Sequence, residues 1–487
     1  MKKGMMMRLS PVIVGLFLVA TAQVLGAQEK FDLADIPKIE NRTPIHVALE
    51  SGGGSDLIIP LVKQFSAHTG IKVTYESLIM SQAYPKQNLD LVSGTGAYDI
   101  VVVEASTTNE WAPYLWPLKE LAQKVDPGGL DSLDSALHGQ HPIMLRCDSD
   151  IDGRVYGLPY KTYHMAMFIR KDVFDHPTEK KNFKEKHGYE LAPATTWKQL
   201  HDQAQFFTRK KGELLKGEPL KDDLYGTAIM AGRYEINDEI SARIWSFGQD
   251  WATLVRDENG RPKEFVITKK DKEALRRSLQ EYKDLLPYSS PGCLTGFWDF
   301  VTAQYVAGKT IIIPHLYVSL HKWASTVEDK IPGAKYALYP VVGNRGYTGN
   351  WYQAVAKSSK NPEAAYWLMR YLTSYEAQRP AMEKGWSGTR WDFVSDVKYQ
   401  APEWRRIVAE RSNILMHAWS EPGYFDFVNN LFFFNSNAAG KIYEVQIILC
   451  HEAMTGQRSI DETVKEMTKQ TIELQKKFGT LPIREEK

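Results

Sequence analysis

An unbroken run of β-branched residues, Ile-Val-Val-Val over 100–103, is the strongest structural signal in the sequence. A run without polar alternation is typical of a strand buried on both faces, as in the centre of a parallel sheet. Two further strands are predicted before it, over 45–49 and 71–75, with a helix between them. Alternating strands and helices indicate an α/β fold with right-handed crossover connections.

The helix between the first two strands is predicted from apolar residues that recur with a helical period. Ser55 stands where it can cap the helix N-terminus, and Gly70 suits the position after the last turn. The other predicted elements are strands over 155–160, 164–170 and 311–313, a bend at Pro159, helical stretches over 197–216, 271–286 and 460–478, a hairpin over 256–263 and a frayed tail over 484–487.

Two glutamates directly follow predicted strands. Glu50 follows the first strand, and Glu104 follows the β-branched run. In open α/β sheets, ligands bind beyond the carboxyl ends of the strands. We therefore expect both carboxylates to lie at a binding site and to accept hydrogen bonds there. A solvated loop carboxylate is the alternative for each residue.

The beginning of the chain has the pattern of a signal peptide. Positive residues open it, an apolar stretch over 11–20 follows, and small residues come next. The apolar stretch is too short to span a bilayer. Cleavage after Ala22 and cleavage after Ala27 both fit the pattern. Since no cysteine lies near either position, we expect no lipid anchor and a periplasmic location for the mature protein.

Net charge and chain length limit the classes of protein to which this sequence can belong. Loss of the basic leader turns the formal net charge of +1 slightly negative, which argues against a nucleic-acid binder. A chain of 487 residues exceeds what one hydrophobic core usually supports, so two lobes are expected. Cys147, Cys293 and Cys450 allow at most one internal disulfide, and each is interpreted as a small buried apolar residue. Their spacing does not favour a zinc site.

Common catalytic motifs are incomplete in this sequence. The stretch 385–388 departs from the nucleophile elbow, and 451–455 ends in threonine where a zinc protease needs histidine. A glycoside hydrolase remains the alternative from another class, because Glu50 and Glu104 could serve as its two carboxylates. No local signature for that chemistry accompanies them.

Several segments, in order, resemble the extracellular solute-binding proteins of ABC importers, in particular the maltose-type and other sugar-binding members. The matches span nearly the whole mature chain, and their collinearity carries the resemblance. The matching segments are Tyr-Asp-Ile-Val-Val-Val-Glu at 98–104, Asp-Gly-Arg-Val-Tyr-Gly-Leu-Pro-Tyr at 152–160, Met-Phe-Ile-Arg-Lys-Asp-Val-Phe at 167–174, Pro-Ala-Thr-Thr-Trp at 193–197, Trp-Asp at 298–299 ahead of Val-Ala-Gly-Lys-Thr at 306–310, and Ser-Lys-Asn-Pro-Glu-Ala-Ala-Tyr at 359–366.

The resemblance implies a two-lobed α/β fold in which each lobe is a mostly parallel sheet flanked by helices, with a ligand cleft between the lobes. The first lobe is expected over 28–160 and 346–375, and the second over 161–345 and 376–487. Crossing strands are expected near 160–163 and 343–349, with a third crossing near Tyr375. The implied protein is a monomer without a cofactor that binds a carbohydrate and delivers it to membrane permease subunits.

A sugar site needs polar groups for the hydroxyls and flat aromatic rings for the C–H faces. Trp298, Trp351 and Trp386 fall in segments predicted to be loops, beside polar neighbours. Half-buried packing is the alternative for each tryptophan. The full set of expected ligand-binding residues is Glu50, Glu104, Tyr160, Trp298, Asp299, Trp351, Trp386 and Arg390.

Overall fold

The computed structural model describes residues 31–51 and 55–487. The predicted signal peptide over 1–27 lies outside these residues. Across the described ranges, no helix is both long enough and apolar enough to cross a membrane.

Thirteen strands are found in the described residues, and most belong to one mixed sheet. Eight strands form that sheet, in the order β2-β1-β3-β12-β4-β10-β7 with β11 paired to β4. The strands are β1 (Ile45–Glu50), β2 (Val73–Leu78), β3 (Ile100–Glu104), β4 (Gly157–Arg170), β5 (Leu214–Leu215), β6 (Glu218–Pro219), β7 (Tyr225–Thr227), β8 (Thr253–Arg256), β9 (Pro262–Ile267), β10 (Thr310–Tyr317), β11 (Tyr336–Pro340), β12 (Thr348–Val355) and β13 (Ile483–Glu485).

Helices cover the sheet and supply most of the remaining structure. Several begin with a capping box, as at Ser459, whose side chain and that of Glu462 bond each other's backbone N–H groups. The helices of six or more residues are Ser55–Thr69, Met80–Ser93, Leu118–Val125, Gly129–His138, Pro142–Cys147, Pro177–His187, Trp197–Phe207, Ile236–Ser246, Lys269–Leu285, Trp298–Val306, Pro362–Leu372, Tyr375–Met382, Glu410–Trp419, Tyr424–Asn430, Ala439–Thr455 and Ile460–Phe478.

The β-branched run forms the fully buried strand β3, as predicted. Strands β1, β2 and β3 are parallel, and the helix predicted between β1 and β2 ends at Thr69, before Gly70 with its φ of +70°. The parallel arrangement does not extend through the sheet. Strand β12 runs antiparallel to both β3 and β4, so the sheet is mixed rather than mostly parallel.

Strand β4 runs through 14 residues without a break, where two strands separated by a bend were predicted. The ladder between β4 and β12 shifts register where Trp351 faces Lys161 and Tyr352 faces Pro159. A proline cannot donate a ladder hydrogen bond, so a local irregularity absorbs it without ending the strand. The first part of β4 pairs with β12, and the second part pairs with β10 and β11.

Two predictions near chain turns were wrong. The helix expected over 197–216 ends at Phe207, and the hairpin β5–β6 follows it. The tail expected to fray instead forms β13, which pairs in parallel with β9. Ile483 is buried in this strand, and Arg484 lies 3.1 Å from a carboxylate oxygen of Glu264, so packing and charge hold the tail in place.

Other predicted elements are confirmed by the structure. The hairpin over 256–263 joins β8 to β9, and the closing helix spans Ile460–Phe478. All three cysteines are buried and free, as expected for small apolar core residues.

Candidate ligand-binding cavity

A cavity of about 670 Å³ opens where several strands of the sheet meet the surrounding helices. Its walls combine residues of β1, β3, β4, β10 and β12 with residues at or near the helices Ile236–Ser246, Trp298–Val306 and Ala439–Thr455. This volume is typical of sites that enclose a small molecule. The lining mixes carboxylates, lysines and many aromatic rings, so it can contact both polar and apolar parts of a ligand.

Five of the residues expected from the sequence line this cavity together. Glu50 and Glu104 come from the ends of β1 and β3, which places both acids at the carboxyl edge of the parallel strands. Trp298, Trp351 and Trp386 also contribute to the lining. The sheet-edge argument therefore placed both glutamates at this cavity.

Glu50 is held by a neighbouring strand. Its Oε2 lies 2.6 Å from the Nζ of Lys161 in β4, and its backbone N–H donates to the hydroxyl of Tyr160 over 3.3 Å. The Glu50 and Lys161 side chains are only 16% and 18% exposed, so the pair is largely desolvated. A sugar hydroxyl that reaches this pair would find an acceptor and a donor together.

Glu104 is buried more deeply than Glu50. Its carboxylate accepts hydrogen bonds from the hydroxyls of Ser106 and Tyr163, and from the backbone N–H of Ser106 over 2.9 Å. Burial raises the pKa of Glu104 above its ordinary value, while these hydrogen bonds act in the opposite direction. Trp351 stands directly opposite Glu104 in the register of β12 and β3.

The three tryptophans differ in exposure. Trp298 is 37% exposed and meets Trp323 edge to face, with ring centres 5.8 Å apart. Trp386 is 3% exposed, its ring stacks on Tyr160 at 5.9 Å, and its indole N–H donates to the carbonyl of Tyr160. Trp351 is 9% exposed and belongs to β12, where a loop was predicted. Trp298 therefore has the largest surface free for stacking.

The remaining three expected residues are not among those that line the cavity, and their positions favour structural roles. Tyr160 lies behind Trp386 as a packing residue. Asp299 lies in the first turn of the helix Trp298–Val306 and accepts from the backbone N–H of Phe300 over 2.8 Å. Arg390 is buried and forms an ion pair with Asp392 at 2.7 Å. Its guanidinium is thus committed inside the fold rather than offered to an anion.

A second set of cavity residues surrounds Glu104, and its other members were missed by the sequence reasoning. We call the set the acid–tyrosine wall, and it consists of Glu104, Glu235, Asp238, Tyr317 and Tyr443. Asp238 accepts hydrogen bonds from the phenols of Tyr317 and, over 2.7 Å, Tyr443. Burial raises the pKa of Asp238 to about 7 and that of Glu235 to about 8.

The missed signal lies in the helix Ile236–Ser246, every residue of which except Ser246 is buried. Glu235 precedes this helix, and Asp238 and Glu239 occupy its first turn. Acidic residues this close to a buried apolar stretch are a sign of a functional site, because buried carboxylates are costly. Within the described residues, no group of three or more His, Cys, Asp or Glu is placed to hold a metal ion.

Comparison with known proteins agrees with this architecture. Residues 48–379 match the family model described as "Bacterial extracellular solute-binding protein". A probable ABC transporter-binding protein of Deinococcus radiodurans is 24% identical over 312 residues, which are 60% of this chain and 68% of that protein.

Solved structures of low sequence identity share the fold. A ribitol-bound ABC transporter solute-binding protein of Agrobacterium radiobacter K84 aligns with a TM-score of 0.66 and 16% identity, over 90% of this chain and 99% of that one. The maltose-bound MalE3 of T. maritima aligns with a TM-score of 0.64 and 19% identity, over 90% and 100% of the two chains. The fold is therefore the two-lobed α/β fold of these binding proteins.

The family match decides between the two classes of function that the sequence left open. It spans the strands that carry Glu50 and Glu104, so these residues belong to a binding protein, and the glycoside hydrolase alternative is not retained. Together with the cavity at the sheet edge, the match over 48–379 shows that the chain is a member of the bacterial extracellular solute-binding protein family.

Proposed function

We propose that this protein captures a small polar solute, a sugar or sugar derivative, in the cavity and delivers it to an ABC importer. The observation that carries the proposal is the combination of carboxylates and tryptophan rings around one space of about 670 Å³. Relatives of the same fold bind ribitol and maltose, which are rich in hydroxyls.

In the proposed complex, polar side chains bind the hydroxyl groups of the ligand, and aromatic rings contact its apolar faces. The Glu50–Lys161 pair offers an acceptor and a donor to hydroxyl groups. Trp298 offers a flat, partly exposed ring to an apolar C–H face of the sugar. Trp351 and Trp386 are more buried, and they shape the cavity by contributing edges rather than open faces.

Lobe closure is the proposed transport signal. The first lobe comprises 28–160 and 346–375, and the second comprises 161–345 and 376–487. Strands β4 and β12 pair along 157–164 and 348–354, close to the two proposed crossings. A ligand that contacts both lobes favours the closed state by its difference in affinity for the two states.

The protein is proposed to act in the periplasm, after export by its signal peptide, as a monomer without a lipid anchor. Its membrane partner is the permease of the importer, which would read the closed form. In this scheme the protein supplies selectivity and performs no chemistry on the solute.

A thermal-shift screen of sugars, polyols, sugar acids and oligosaccharides tests the proposal. A ligand at 100 times its dissociation constant adds about 2.7 kcal/mol to the free energy of unfolding, which is readily seen as a higher Tm. The shift should be reduced in Trp298→Ala and retained in Trp404→Ala, a partly buried tryptophan outside the cavity. A panel in which no compound raises the Tm would contradict the proposed function.

A further inference from the structure

The acid–tyrosine wall lacks a positive partner. Among the described residues, none of Glu104, Glu235 and Asp238 forms an ion pair with a lysine, arginine or histidine. The Oε2 atom of Glu235 is buried and has no hydrogen-bond partner in the part of the chain that the structure describes, although the residue lines the cavity. Burying a carboxylate without a partner is costly, and a positively charged group supplied by a ligand would offset that cost.

The groups that surround these acids add more negative charge. The pKa of Glu235 is raised further by the charges of Asp238, Asp299 and Glu239. That of Asp238 is raised by Glu104 and Glu239. Glu444, on the helix Ala439–Thr455, also lines the cavity. The titratable and charged groups that face Glu235 and Asp238 are thus Glu104, Tyr234, Glu239, Asp299, Tyr317, Tyr347, Tyr443 and Glu444.

Three cationic side chains near this wall or in the same cavity have contacts with other groups. Arg243 acts on Glu239 and lies 4.0 Å from the ring centre of Trp197. Lys161 pairs with Glu50, and Lys322 donates to the carbonyl of Lys384. Lys161 therefore serves Glu50. Lys322 and Lys384 line the cavity without an ion pair to Glu235 or Asp238 among the described residues, so these two carboxyls remain available to the ligand.

We propose that the ligand carries a protonated amine, as an amino sugar or an amine-bearing polyol does, and that its ammonium group binds at Glu235 and Asp238. The inference rests on the proposed function and specifies its substrate class. Carboxylates form strong charge-assisted hydrogen bonds with an ammonium group, and tyrosine rings attract a cation to their faces. The wall supplies both, and its Tyr443 packs edge to face on Tyr234, which also lines the cavity, with ring centres 6.3 Å apart. An organic cation fits better than a metal ion, because no described residues form a metal-ligand group.

Binding of an ammonium group has a protonation signature. Burial keeps the carboxyls of Glu235 and Asp238 partly protonated near neutral pH, with pKa values of about 8 and about 7. A bound positive charge lowers both pKa values, so the protein releases protons as it binds the amine. A neutral sugar, held by the protonated carboxyls as donors, produces no such release.

The test is titration calorimetry near neutral pH with matched pairs of compounds. The pairs are glucamine against sorbitol, and glucosamine against glucose and N-acetylglucosamine. We expect each amine to bind at least about tenfold more tightly than its neutral counterparts. Titrations of glucamine in two buffers of different ionisation enthalpy should show net proton release. Equal or tighter binding of the neutral compounds would overturn the inference.

Single substitutions test whether the acid–tyrosine wall causes the preference for the amine. Glu235→Gln and Asp238→Asn keep the side-chain shape and should each reduce the preference for the amine, whereas Glu258→Gln, at an exposed position outside the cavity, should retain it. A preference unchanged in correctly folded Glu235→Gln and Asp238→Asn would overturn the assignment. If neutral sugars bind and amines do not, this inference fails and the proposed function stands. If neither these compounds nor the thermal-shift panel bind, both fail.

Discussion

Lys161 and Glu50 form an ion pair, with the lysine Nζ 2.6 Å from the glutamate Oε2, that ties the long strand β4 to the end of β1. The same Nζ lies 5.7 Å from the ring centre of Trp386. One largely buried lysine therefore positions an acid and an aromatic ring of the cavity at the same time.

Replacement of Lys161 by methionine should weaken ligand binding about tenfold, because the Glu50 carboxylate loses the partner that orients it. The free energy of unfolding should fall by about 1–3 kcal/mol, since a largely buried charged hydrogen bond is lost. Lys198→Met is the matched control. Lys198 forms an ion pair with Asp202 at 2.6 Å, but it is 80% exposed and outside the cavity. Calorimetric titration and urea unfolding measure both effects, and an unchanged affinity in Lys161→Met would contradict this role.

Replacement of each tryptophan by alanine should affect affinity and stability differently, according to how exposed the ring is. Trp298→Ala should lower ligand affinity by about 1–3 kcal/mol with little change in stability, because its ring is the most exposed. Trp386→Ala should lower stability as well, since the ring packs on Tyr160 and its indole N–H is bonded to the backbone. Equal losses of stability in both variants, measured by urea unfolding, would indicate that Trp298 is a core residue.

Arg390 should contribute to the free energy of unfolding and not to the affinity for an anionic sugar. Breaking a buried ion pair by removing one partner costs about 3–5 kcal/mol. Arg390→Met should therefore lower the free energy of unfolding by that amount, because Asp392 loses its partner and the carbonyl of Thr373 loses a donor. Affinity of the folded fraction for an anionic sugar should stay within about twofold of the wild-type value. A stable variant that binds sugar acids more weakly would restore the ligand-binding role expected from the sequence.

The unliganded protein should lose stability as the pH rises from about 4 to about 8. The folded pKa values of Glu235 and Asp238 are about 8 and about 7, above the ordinary value of about 4 for a free carboxyl. Within this window the folded state binds more protons than the unfolded state, so the free energy of unfolding decreases with pH. Above the folded pKa values, the decrease in the free energy of unfolding is complete. Below the ordinary pKa of a free carboxyl, the decrease is absent.

Isosteric variants identify which carboxyls cause the free energy of unfolding to decrease with pH. Glu235→Gln and Asp238→Asn should each flatten this dependence, and the exposed Glu258→Gln should leave it unchanged. Urea unfolding at a series of pH values measures the effect. Identical slopes in all four proteins would show that these carboxyls do not titrate with raised pKa values.

Local pattern was enough to predict the strands β1, β2 and β3. The run over 100–103 and the helical period before Gly70 each depend on neighbours in sequence, and both are found where they were expected. The position of Glu50 and Glu104 followed from a general rule about strand ends. These features could be read because one dominant interaction, burial of an apolar face, determines them.

Long-range pairing could not be read from the sequence. Strand β12 inserts between β3 and β4, although both are far away in the sequence, and the pattern of Trp351 and its neighbours carries no sign of its antiparallel register. The burial of Arg390 could not be predicted either, since the enclosing fold determines its exposure. The other members of the acid–tyrosine wall around Glu104 were missed because they come from elements whose contacts arise only from the complete fold.

Small-angle scattering with and without a saturating sugar or polyol, chosen as the compound with the largest thermal shift, tests the central claim most directly. If the protein is a clamp that captures its solute between two lobes, the radius of gyration should decrease on binding, and Trp298→Ala should need more ligand to reach the same decrease. A radius of gyration that stays the same at saturation, with tight binding confirmed by calorimetry, would contradict capture by lobe closure.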